Sequence, residues 1–180
     1  MPIVVGYILF LLSPFLPILT QIPDNPASTG QISVVTSSLN NLTKLNAGFL
    51  IPNSYNNVLK TYAKYTRVLR DGTSSRQITK VYSEFEAALE LAHKKLERVH
   101  EVLMIPLQKR AEAQQENAPT IASDLYESAE QNLARAILKL EENRISEAFT
   151  IGQQAAISFE EARKSVIELS LVGPAKIGLS

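Results

Sequence analysis

An apolar stripe at heptad spacing runs through the middle of this chain and commits it to packing helix against helix. Ile78, Phe85, Ala92 and Val99 alternate with Tyr82, Leu89, Leu96 and Leu103 in steps of four and three. That spacing holds one narrow seam on one side of a helix, and such a seam is stable only when another helix covers it. The expected fold class is therefore all-α.

Two antiparallel hairpins follow from the punctuation around that seam. Val35, Leu39, Leu42 and Leu45 mark a short amphipathic stretch, broken at Asn46-Ala47-Gly48. Pro52 suits a helix start, and Tyr55, Val58, Tyr62, Tyr65 and Leu69 trace a helical face ended by Arg70-Asp71-Gly72-Thr73-Ser74-Ser75. The heptad helix then runs from Ser75 to Leu103, roughly 40 Å, until Pro106 ends or kinks it. Past a polar connector holding Lys109 and Arg110, the format repeats. Pro119 opens a helix with Ala122, Tyr126, Ala129, Leu133, Ala136 and Leu140 on one face. Glu141-Glu142-Asn143-Arg144 turns the chain, and Ile145, Phe149, Gly152, Ala156, Phe159 and Val166 line the returning helix before Gly173-Pro174. The two hairpins form a four-helix bundle or a short helical-repeat stack. The halves repeat in pattern more than in identity, so a duplication is suggested. Ala and Gly crowd the second hairpin, which brings its axes closer than the Tyr, Phe and Leu of the first.

The N-terminus has a different character. Ile3 to Leu19 carries no charge and is mostly apolar, and Pro14 and Pro17 interrupt it. This resembles the hydrophobic core of an export signal or a retained anchor, although no Lys or Arg precedes it. Residues 23–33, with two Pro and a Gly, read as a linker. Asn41-Leu42-Thr43 matches a glycosylation sequon, a three-residue pattern that arises readily by chance. The organisation is thus a signal or anchor over 1–22, a linker with a short helix over 23–50, and a first hairpin over 51–105. A connector over 106–118, a second hairpin over 119–172 and a tail over 173–180 complete it.

The second hairpin carries a resemblance. Ala118-Pro119, Leu125, Ala129, Leu133, Ala136, Leu140, Glu147-Ala148 and Ala155 resemble the alanine-rich hairpin of the bacterial domain-of-unknown-function family 4398. The likeness covers roughly residues 111–166. It departs from the family at the turn, where Glu142-Asn143-Arg144 stands in place of Gly-Asp, and in having no lipid-attachment Cys. The resemblance implies an exported protein of the Gram-negative envelope and assigns no catalytic residue.

Charge and composition narrow the function. The 18 basic and 18 acidic residues cancel, which argues against a broad nucleic-acid footprint. The absence of Cys removes disulfides, thiolate metal sites and a cysteine nucleophile. Gly-rich phosphate loops, nucleophile elbows and His-Glu-x-x-His motifs are absent from the sequence, so no cofactor or small-molecule substrate is indicated. One chemical pattern remains. Glu90-x-x-His93 and Glu97-x-x-His100 share the spacing used by carboxylate-bridged metal bundles. Those bundles place the motifs on separate helices, whereas these lie on one helix with the two His about 10 Å apart.

The expectation is a non-catalytic, envelope-associated scaffold or adaptor. It would bind a protein partner or self-associate through helix faces and meet the membrane through its N-terminal segment. Tyr82, Phe85, Leu89, Leu96, Val99 and Leu103, with Ala155 and Phe159, are the candidate contact residues. A tetratricopeptide-like peptide binder and a metal-binding bundle on Glu90, His93, Glu97 and His100 are the alternatives.

Overall fold

A computed structural model of the protein describes residues 26–172, with side chains described from 32 to 171. The described chain is all-α: seven helices and no strand. They are α1 (Pro26–Lys44), α2 (Ala47–Leu50), α3 (Pro52–Arg70), α4 (Ser75–Gln115), α5 (Ala118–Ile121), α6 (Ser123–Glu141) and α7 (Ile145–Val172). The expected signal or anchor, residues 23–25 of the linker and the tail from 173 lie outside these residues.

The backbone of α4 organises the rest. Its 41 residues span about 60 Å. Tyr65 of α3 meets Tyr82 of α4 with ring centroids 5.4 Å apart, and Tyr62 meets Phe85 at 6.3 Å. Residue numbers fall along α3 as they rise along α4, so the pair is antiparallel. On the second half of α4, Lys95 reaches the main-chain oxygen of Glu141 at 2.7 Å and Arg110 pairs with Glu130, so α6 is antiparallel too. The parallel neighbour is α7: Gly152 lies against Leu103 and Pro106, and Lys109 bonds Glu160 at 3.1 Å. Tyr126 of α6 and Phe159 of α7 close that three-helix layer with centroids 5.3 Å apart. The first hairpin and the second therefore meet lengthwise, with α4 common to both.

Two units of the same design are visible in the backbone. Asn46 (φ 56°) and Asn117 (φ 61°) both adopt the left-handed conformation, 71 positions apart (117 less 46). Each is followed by Ala and a four-residue helix, a residue outside helical geometry (Ile51, Ala122), and a helix of 19 residues. Each of those helices ends beside another positive-φ residue, Gly72 (63°) or Asn143 (64°). Left-handed backbone penalises a Cβ, and Gly and Asn tolerate it best. At the same offset, buried Ile32, Val35 and Leu42 of α1 correspond to buried Leu103, Pro106 and Ala113 of α4. The second half of α4 thus serves the second unit as α1 serves the first.

This explains why the chain does not pause where a connector over 106–118 was expected. Pro106 has no N–H for the carbonyl one turn back, and the backbone leaves helical geometry at Leu103 (φ −111°, ψ 18°), a kink inside a helix that continues to Gln115. Leu103, Pro106 and Ala113 are all buried. Burial of the Leu103 side chain alone contributes about 1.5–3 kcal/mol, comparable to the roughly 3 kcal/mol penalty of an internal Pro. Residues 26–33, expected to be linker, belong to α1 instead. Pro26 at the first helical position loses no hydrogen bond, and Ile32 and Val35 bury their side chains.

The buried line along α4 is Val81, Phe85, Ala88, Ala92, Leu96, Val99 and Leu103. Tyr82 and Leu89, expected in the seam, flank it half-buried. A straight helix drifts by about 20° per heptad against a strict seven-residue repeat. Traced back from Leu103, the buried line therefore slips towards positions 88 and 81. On α7 the small residues hold the interface: Ala148, Gly152, Ala155, Ala156 and Ala162 are buried with Phe159 and Val166. Ile145 and Phe149, expected on that face, are instead exposed, Phe149 by 52%.

Candidate functional site

Apart from Tyr82 and Leu89, which flank the core half-buried, the residues singled out from sequence fall into two groups. Phe85, Leu96, Val99, Leu103, Ala155 and Phe159 are each at most 4% exposed and are consumed by packing within the chain. They form the core and are not available to a partner in the folded protein. Glu90, His93, Glu97 and His100 all lie on the solvent side of α4. There Glu90 is held by Lys94 at 2.6 Å, which keeps its carboxyl below the usual range. No group of three or more His, Cys, Asp or Glu that could hold a metal occurs among the described residues. The Glu-x-x-His motifs belong to a solvated helix face there.

Lys109 and Arg110, expected on a flexible connector, sit in regular helix and are paired. Arg110 stacks 4.7 Å above the Phe49 ring of α2 while bonding Glu130 of α6. Lys109 bonds Glu112 at 2.8 Å and Glu160 of α7 at 3.1 Å. Arg163 also holds Glu160, at 2.8 Å. Hydrogen bonds from Arg163 and then Lys109 draw the Glu160 carboxyl down to about 2. A carboxylate so held stays ionised near neutrality and is unsuited to shuttle protons.

The Lys109–Glu160 pair edges a shallow groove of about 340 Å³ between α4 and α7. Ile105, Ala156 and Ile157 make its apolar lining; Lys109, Glu160, Glu161 and Lys164 make its charged rim. Ile105 is 47% exposed and Ile157 59%, and neighbouring Met104 reaches 63%. The groove thus has an apolar floor framed by charge of both signs. Sequence reading passed over it because Ile105 sits two residues from the buried Leu103 and Ile157 next to the buried Ala156. Periodicity alone cannot rank such neighbours when a helix is packed from two sides.

The buried Tyr126 hydroxyl makes no hydrogen bond of good geometry, although the Glu130 carboxylate and the Gln114 side chain stand beside it. Burial, and next the neighbouring Glu130 carboxylate, push the Tyr126 hydroxyl up to about 12. Its counterpart one unit earlier, Tyr55, shares a 2.8 Å hydrogen bond with the Thr43 hydroxyl.

Among the described residues, no helix is long and apolar enough to cross a membrane. No family model matches the chain, and no curated protein or solved structure matches it significantly.

Proposed function

We propose that the protein is a non-catalytic helical scaffold or adaptor of the cell envelope that works through protein–protein contacts. The groove between α4 and α7 carries this reading, because Ile105 and Ile157 expose apolar surface there inside a charged rim. A partner helix laying an apolar side chain between them would bury that surface and face the rim with polar groups. The uncharged stretch from Ile3 to Leu19, and the resemblance of residues 111–166 to family 4398, favour the envelope as the place of action.

A photo-crosslinking residue at Ile157 in the full chain, expressed in its native host, tests the contact. A discrete adduct from Ile157, absent when the same residue replaces exposed Gln131 on α6, supports the groove as an interface. Equal labelling from both positions, or none from Ile157, removes it. The location is tested by the intact mass of protein from the membrane fraction. Full length means a retained anchor; loss of the first twenty to thirty or so residues means a cleaved export signal. Recovery of the full chain from the cytosol alone overturns the envelope assignment.

A further inference from the structure

The carboxylate of Glu141, the last residue of α6, accepts hydrogen bonds from the backbone N–H groups of Asn53 (2.9 Å) and Ser54 (2.7 Å). Those amides open α3, 88 and 87 positions earlier in the chain. The first N–H groups of a helix have no partner within it, and α3 has no side-chain cap of its own. The C-terminus of α6 therefore meets the N-terminus of α3, and the two helices run head to tail along α4. Lys95 of α4 fastens the same point by donating to the Glu141 main-chain oxygen. The dipoles agree, since the negative end of α6 faces the positive end of α3 and the Lys95 ammonium stands beside the α6 carbonyl. Arg110 of the second unit also lies on the Phe49 ring of the first.

We propose that this joint is a clasp that sets the angle between the two units. Glu141 and Lys95 splice α3 and α6 into one discontinuous helix, and α4 runs past the splice as a splint. Without the clasp, the units bend relative to one another about the kink at Leu103. The device is independent of what binds the groove, because none of its residues lines that surface.

The absence of Cys allows spin labels to be placed on full-length protein through Asn56→Cys on α3 and Gln131→Cys on α6, both exposed positions. Pulsed electron resonance is expected to give one narrow distance distribution, broadened or shifted by Glu141→Ala at unchanged helix content. Glu142→Ala is the control, since among the described residues Glu142 pairs with Lys139 and Arg144 and with neither α3 nor α4. Hydrogen exchange at the Asn53 and Ser54 amides is expected to accelerate roughly tenfold in Glu141→Ala, as loss of a charge-assisted bond predicts. Should Glu141→Ala fail to fold, Glu141→Gln keeps the shape and is expected to give a smaller broadening. A distribution already broad in the parent protein, or one that Glu141→Ala and Glu141→Gln both leave unchanged, overturns the clasp.

Discussion

A terminal methyl of Leu103 lies 2.7 Å from the point where a Cβ on Gly152 would stand, so the kinked turn of α4 sits in a notch in α7 that a larger residue could share only by displacing the buried Leu103 side chain. Gly152→Ala is expected to destabilise the fold by about 1–2 kcal/mol. Overpacking typically costs about 1–3 kcal/mol, and the better helix propensity of Ala offsets up to about 1. In a Leu103→Ala background, which itself costs about 2–5 kcal/mol, the same change should become neutral or stabilising. Urea unfolding of the four proteins measures the coupling. Strict additivity would mean the two residues do not meet.

The two matched tyrosines should respond differently to loss of the hydroxyl. Tyr126→Phe removes a buried hydroxyl that makes no hydrogen bond of good geometry and is expected to leave stability unchanged or raise it by up to about 1 kcal/mol. Tyr55→Phe gives up a bond to Thr43 at an exposed site and should cost at most about 0.5 kcal/mol. Thermal melts decide it; a Tyr126→Phe protein clearly less stable than the parent would point to a partner for that hydroxyl, such as an ordered water.

Asn46 and Asn117 hold the same left-handed turn in the two units. Replacement by Gly should be neutral or mildly stabilising. Replacement by Ala should cost about 1 kcal/mol at each site, because Cβ crowds the carbonyl there. Denaturant midpoints of the single variants test the equivalence, and a large Ala penalty at one site alone would show that the turns are not interchangeable.

Glu160 makes part of the stability depend on acid. Its carboxyl is lowered from an ordinary 4.5 to about 2 in the fold, so the unfolded chain binds the proton more readily. The contribution is fully present above the ordinary value and is lost as pH falls towards about 2. Glu160→Gln should therefore lower Tm at pH 6, with the deficit closing as pH approaches 2. A deficit that stays constant over that interval would assign the effect to packing instead of charge.

The helices were legible in the chain where a local signal marks them. Pro52, Gly72 and Asn143 each stand at a helix boundary that the turn chemistry announces. The left-handed break at Asn46 is likewise local, and it fell where the apolar periodicity stopped. Pro106 misled the reading because the cost of an internal Pro is visible in sequence, whereas the burial that offsets it is not. Tyr82 and Leu89 misled it for a related reason: the heptad is a property of the sequence, but the turn of a straight helix selects Val81 and Ala88 for the core.

The candidate surfaces divide along the same line. Periodicity finds apolar residues without saying which are claimed from inside, so Phe85, Leu96, Val99 and Leu103 stood out while exposed Ile105 and Ile157 did not. What the sequence by itself determined is the all-α class, the two hairpins and most of their turns, because each depends on interactions within a few residues. What only the tertiary structure decided is how those hairpins share α4, which small residue receives the kink, and that Glu141 reaches the start of α3. The last two contacts join positions 49 and 88 residues apart (152 less 103, 141 less 53), and they form only once burial of the whole core has brought distant helices to one place.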